Sequence, residues 1–255
     1  MRLLVINPNI SDDVSELIRA EAKRTAAPDT EVVVRTAPAG VEYIETRFES
    51  LLAAPQVAQL MAEESGADAV VVAAFGDPGM PALKELLPVP VVGITEAALA
   101  TAALLGRRFA IVAISRRITA WYRDCVEQNG YGSRLASIRS LGEALPRIGA
   151  VQQDFRTELL RLAHEVVDQD GADVVILAGA PLAGLARDIG ASIPVPVVDG
   201  ISAGVAQAEL LVRLRTGSHR KGSFAAPPRK PNKGLTPELS AILDDTARHE
   251  SGESS

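Results

Sequence analysis

Four short stretches have the composition of ligand-binding strand ends: Asn7-Pro8-Asn9, Ala74 to Gly79, Ser115-Arg116 and Gly179 to Leu182. Each follows an aliphatic run and precedes a helical pattern. In open parallel sheets, ligands bind beyond the carboxyl ends of strands. Small residues at such junctions let backbone N–H groups face a ligand, and a helix N-terminus behind them favours negative charge. A carboxylate, a ureide carbonyl or an enolate oxygen suits such a cradle. Several side chains nearby can exchange or hold protons. Asp77 is either a general base or a turn former that accepts local N–H bonds. Glu45 and Tyr43 follow the second strand and flank the same end, Glu45 as a second candidate base and Tyr43 as cleft wall with a hydroxyl donor. Ser115 either bonds a substrate carbonyl or caps a helix. Glu96 and Asp199 open helices after strands and suit capping.

These stretches are not independent, because the chain repeats itself. Ala67-Asp68-Ala69-Val70-Val71-Val72-Ala73-Ala74 has its partner in Ala172-Asp173-Val174-Val175-Ile176-Leu177-Ala178-Gly179, about 105 residues later. Pro88-Val89-Pro90-Val91-Val92-Gly93 returns as Pro194-Val195-Pro196-Val197-Val198-Asp199. The period is too long for a solenoid and indicates a duplicated half. Duplication pairs the first strand end with the third and the second with the fourth. Two related halves then enclose a cleft and address a small substrate from both faces.

The elements that must position these ends alternate. Strands are expected at 3–6, 31–36, 69–73 and 89–92, then at 109–114, 136–140, 174–177 and 195–198. Helices are expected from Ser11 to about Arg24, then at 53–64, 80–86, 95–105, 119–129, 151–168, 182–189 and 202–214. Strands alternating with helices predict an α/β fold of two pseudo-symmetric parallel-sheet domains, with helices on both faces and the cleft between them. Residues 217–234 are basic, proline-containing and aperiodic, which predicts an extended arm, with a short helix at 236–249 and a frayed end.

Composition narrows the partners. The 255 residues carry a net charge of −6, which argues against nucleic acid. The apolar runs are too short to span a membrane, and no targeting segment is evident at the N-terminus, so a cytoplasmic protein is expected. Cys125 is the only cysteine, and the three histidines lack metal-ligand spacing, so no disulfide, metal or cofactor is expected. Cys125 falls inside a helix rather than at a strand end and reads as a structural thiol.

Ile6-Asn7-Pro8-Asn9, Phe75-Gly76-Asp77-Pro78-Gly79, the segment from Pro194 to Gly200 and Tyr43-Ile44-Glu45 together resemble the aspartate/glutamate/hydantoin racemase superfamily, in particular its hydantoin and allantoin racemase branch. The resemblance covers most of the chain to about Leu214. It implies a domain of residues 1–97 plus 197–216, a second of 98–196 with the arm at 217–255 lying outside both, a homo-oligomer, and a small hydantoin- or allantoin-like substrate. It implies a site formed by Asn9, Tyr43, Ala74, Phe75, Gly76, Ser115, Gly179, Ala180 and Pro181. The family's racemases pass a proton between two cysteines on opposite faces of a planar carbanion, since inversion needs both faces. The positions those cysteines would hold are Ala74 and Gly179 here, and neither residue carries a proton. Besides a racemase disabled by replacement of both cysteines, two readings remain open. One is an enzyme of altered chemistry, such as a hydrolase or lyase with Asp77 or Glu45 as base. The other is a protein that binds a small metabolite without turning it over.

Overall fold

A computed structural model describes residues 1–64, 66–142, 145–215 and 221–243. Eight strands form two sheets of four, all parallel: β1 (Arg2–Asn7), β2 (Glu31–Thr36), β3 (Ala69–Val72) and β4 (Val91–Gly93), then β5 (Phe109–Ala113), β6 (Leu135–Ser140), β7 (Val174–Ala178) and β8 (Val197–Asp199). The strand orders are β2-β1-β3-β4 and β6-β5-β7-β8, so the sequence repeat is a repeat of topology. β1, β3, β5 and β7 are buried almost throughout, as their unbroken Val, Ile, Leu and Ala runs require.

In each sheet the chain winds outward in both directions from the first strand. The switch points therefore lie beyond the carboxyl ends of β1 and β3, and of β5 and β7. All four conspicuous stretches sit at those ends. β8 is hydrogen-bonded to β7, with Val175 opposite Val197 and Leu177 opposite Asp199. A first domain of 1–97 plus 197–216 would part β8 from the strand it pairs with.

The helices are α1 (Asp12–Thr25), α2 (Arg47–Glu63), α3 (Met80–Leu86), α4 (Ile94–Leu105), α5 (Thr119–Gln128), α6 (Val151–Asp154), α7 (Arg156–Asp168), α8 (Leu185–Ile189) and α9 (Gly200–Leu214). Ser11 caps α1 through the N–H of Val14, with Asp12 and Asp13 in its first turn. Three helices differ from expectation, α8 by starting at Leu185 rather than Leu182, after a 3-10 turn over Ala180–Leu182. α2 starts at Arg47 rather than at residue 53, because Thr46 and Glu49 form a reciprocal capping box. That signal was present in the sequence, but the outward Phe48, Leu51 and Leu52 blur the apolar period there. The long helix expected at 151–168 is two, divided at Phe155, whose φ/ψ of −118°/16° interrupts the run. No Gly or Pro marks the break.

Buried charge joins the halves. Glu21 on α1 is 1% exposed and pairs with Arg187 of α8 at 2.8 Å, while the Ser202 hydroxyl donates to it at 2.7 Å. Glu209 of α9 accepts from the N–H of Ala27 at 2.9 Å. The described part of the arm lies along its own chain: Thr236 donates to Gln59 at 2.7 Å and residues 237–243 are helical. Residues 217–220 of the arm and 244–249 of its expected helix fall outside the described residues.

Candidate active site

A cleft lies where the four strand ends meet. Its wall comprises Asn9 from beyond β1, Tyr43 and Ile44 from the segment before α2, Ala73, Ala74 and Phe75 beyond β3, Ile114 and Ile118 beyond β5, Tyr122 of α5, and Gly179, Ala180 and Pro181 beyond β7. Each half contributes two strand ends, as the duplication requires. The free volume is about 30 Å³, room for one or two water molecules.

The first half's loop is built around Asp77. Its carboxylate oxygens accept from the N–H groups of Thr95 and Glu96, both at 2.9 Å. These are first-turn donors of α4, whose cap position, Gly93, has no side chain to serve them. A Cβ at Gly93 would lie 2.2 Å from the Asp77 carboxylate carbon, so the absence of a side chain there makes room for the remote cap. In the second half Asp199 occupies the position equivalent to Gly93 and caps α9 itself, accepting from Ser202 N at 2.9 Å. The same task is thus done from two different places in the repeat.

Burial pushes the Asp77 carboxyl up to about 7, against the opposing effect of the two N–H donors. The native group therefore keeps its proton where the unfolded chain has released it. Stability from this source is complete below pH 4 and falls as pH rises toward 7. The protein is expected to be roughly 3 kcal/mol less stable at pH 8 than at pH 5 from this group alone. Urea denaturation at the two pH values, compared with Asp77→Asn, checks it: the variant should lose most of the difference, and an unchanged difference assigns it to other groups.

Asp77 and Gly76 border a separate cavity of about 230 Å³ behind the loop, shared with Lys84, Glu96, Cys125 and Phe224 of the arm. Lys84 and Glu96 pair there at 2.6 Å. Glu45 is outside the cleft wall, and its N–H donates to Glu49 at 2.7 Å. Ser115 accepts from Arg117 N at 3.2 Å and forms a turn rather than the wall. Thus Asn9, Tyr43, Ala74, Phe75, Gly179, Ala180 and Pro181 come together on one cleft wall, while Gly76, Asp77, Glu45 and Ser115 are not part of it. Cys125 is buried, and its thiol is pushed up to about 12 by desolvation and by Asp77. Among the described residues no three His, Cys, Asp or Glu side chains converge on one point, and no helix is long and apolar enough to cross a membrane.

Tyr122 is on the wall but at no strand end, so the strand-end pattern does not point to it. It is 2% exposed, and its ring lies 4.6 Å from that of Phe75 and 5.7 Å from that of Trp121. The signal was the spacing of Ile118, Tyr122 and Val126 along one face of α5, but this equally describes a core residue. Desolvation raises the Tyr122 and Tyr43 phenols, and Glu45 and Glu42 add to the rise at Tyr43.

Gly179 has φ/ψ of 112°/141°, a region open to glycine and strained for other residues. The Gln152 side chain pins the loop beyond it by donating to the carbonyls of Pro181 and Ala183, both at 2.9 Å.

Residues 3–208 match the Asp/Glu/hydantoin racemase family. The chain belongs to that family. A hydantoin racemase from Paenarthrobacter aurescens is 35% identical, over 90% of this chain and 99% of the relative. The fold is that of the allantoin racemase from Pseudomonas fluorescens, with a TM-score of 0.86, 37% identity, and coverage of 92% of this chain and 100% of that one. Allantoin racemase from Klebsiella pneumoniae superposes with a TM-score of 0.88 at 33% identity, covering 94% of this chain and 98% of that one. The two-sheet α/β architecture expected from the repeat is therefore the racemase fold, with the cleft at its switch points.

Proposed function

We propose that this chain is a ligand-binding member of the family, which holds a small hydantoin- or allantoin-like ring between its halves and does not racemise it through thiols. One observation carries the reading: among the described residues, the cleft wall has no Cys, His, Asp, Glu or Lys to exchange protons near neutral pH. Ala74 and Gly179 stand at the paired positions, and the ionisable wall residues are Tyr43 and Tyr122, whose phenols are raised further. The hydrolase or lyase reading draws no support from the geometry, since neither Asp77 nor Glu45 lines the cleft. The relatives named as hydantoin and allantoin racemases, together with the uncharged wall, favour the ring ureide as ligand class. Binding requires the cleft to open, because a five-membered ring exceeds its present volume.

A cytoplasmic homo-oligomer accompanies this reading. Phe48 and Leu51 on α2, and Leu104 and Leu214 on α4 and α9, are each at least 60% exposed and supply apolar surface for self-association. Two domains dividing after β4 and after β8 also follow. The function is tested with a single-enantiomer 5-substituted hydantoin in deuterated water. The melting temperature is expected to rise with ligand concentration, while deuterium uptake and loss of optical rotation stay at the protein-free rate. Uptake clearly above that rate would overturn the proposal.

A further inference from the structure

One polar group that the first half offers the cleft has its direction decided by backbone atoms. Asn9 is 5% exposed and lies on the cleft wall. Its Oδ1 accepts from Ser11 N at 2.9 Å, and a backbone N–H can only donate. Asn7, with no exposed surface, is oriented in the same way: its Oδ1 accepts from Asn9 N at 3.2 Å, and its Nδ2 donates to Ser11 O at 3.2 Å. The two hydrogens of that Nδ2 are directed at Asn9 Oδ1 and Ser15 Oγ, each at 2.9 Å, the longer Ser11 contact sharing one of them, and Ser15 is itself held by Thr36 at 2.7 Å. Neither amide can turn over without setting donor against donor and acceptor against acceptor. The oxygen of Asn9 thus already accepts two hydrogen bonds, while its Nδ2 has no acceptor among the described residues.

From this we propose that Asn9 is a specificity-determining residue that shows the cleft two N–H donors and no acceptor, and so selects a ligand oxygen that only accepts: a ring carbonyl or its enolate. The inference rests on the binding reading above and adds the polarity of one contact. The duplication supports the assignment of the oxygen to the turn. Ser115, the equivalent residue of the second half, makes the same bond to the N–H two residues on, with a hydroxyl that is too short to reach past the turn.

Asn9→Ser copies that turn and withdraws the donors. Isothermal titration with hydantoin, 2-thiohydantoin and 4-thiohydantoin reads the contact, because sulfur is the poorer acceptor. The wild type is expected to bind hydantoin about tenfold more tightly than at least one thio analogue. In Asn9→Ser, hydantoin affinity should fall about tenfold and the three ligands should come within about twofold, a ratio that the lower melting temperature expected from loss of the Asn7 bond does not alter. Asn9→Asp, which keeps the oxygen for Ser11 and replaces the donors by a charge, provides the same reading if the serine variant folds poorly. If the variant binds hydantoin as tightly as the wild type, or keeps the preference over the thio analogue, the inference is wrong and the cleft reading stands. If the wild type binds neither hydantoin nor allantoin, both fall.

Discussion

Ala74→Cys is expected to give the cleft a proton exchange carried by a thiol. Ala74 follows β3, is 7% exposed, and lines the cleft opposite the loop that carries Gly179. Its backbone is not among the positive-φ residues, so a cysteine side chain meets no conformational penalty there. A single thiolate takes an acidic ring proton from one face and returns solvent deuterium to the same face. The expected product is deuterated hydantoin of unchanged configuration, formed about a hundredfold faster than without protein. Near pH 8.5 an ordinary thiol is half ionised, so NMR for uptake and polarimetry for configuration are best run there. Loss of rotation in step with uptake would show a second proton donor in the cleft and contradict the description of its wall. No exchange at all would remove Ala74 from the ligand's reach.

The second thiol is harder to restore. A Cβ at Gly179 has space, with Pro181 at 3.5 Å and the Tyr122 hydroxyl at 3.9 Å, so volume is not the obstacle. The obstacle is φ of 112°. Gly179→Cys is expected to cost about 1–3 kcal/mol. Adding it to Ala74→Cys is expected to bring little inversion, because a loop that relieves the strain must first work against the Gln152 bonds.

The largest loss of stability is expected from Gly76→Ala. The residue has φ of 111°, and a Cβ there would lie 2.1 Å from the Trp121 ring. Strain and overpacking together amount to about 3–5 kcal/mol, since the ring is wedged against Tyr122 and cannot swing away freely. Gly130→Ala is the control. It has φ of 78° but nothing within 4 Å of the added carbon, so strain alone applies, about 1 kcal/mol. Trp121 is the sole tryptophan, so its fluorescence reports unfolding in urea and the local contact together. Equal midpoints for the two variants would refute the close packing of the loop on α5.

The loop between Phe75 and Gly79 also shows how far a sequence reading reaches. Its place at a strand end was legible from the Val70-Val71-Val72 run and the glycines that follow. The direction of Asp77 was not, because an aspartate in a turn is equally a base, a turn former or a cap. The choice depended on Gly93 and on the first N–H groups of α4, which come close only once β3 and β4 pair. Tyr122 shows the converse. Helical periodicity made it a core residue, and only the docking of α5 beside Phe75 made that core the wall of a cleft.

By itself the sequence determined the duplicated α/β architecture, the four strand ends that form the cleft, and the absence of thiols at the paired positions. Each depends on local pattern or on residue identity, which tertiary contacts cannot alter. Only the tertiary structure decided which polar groups border the cleft. Asp77 is turned to α4, Glu45 and Ser115 lie off the wall, Tyr122 is brought in from α5, and Asn9 is fixed with its donors outward. Those directions follow from satisfying buried hydrogen-bonding groups across elements distant in the chain, a condition that exists only when the elements have packed.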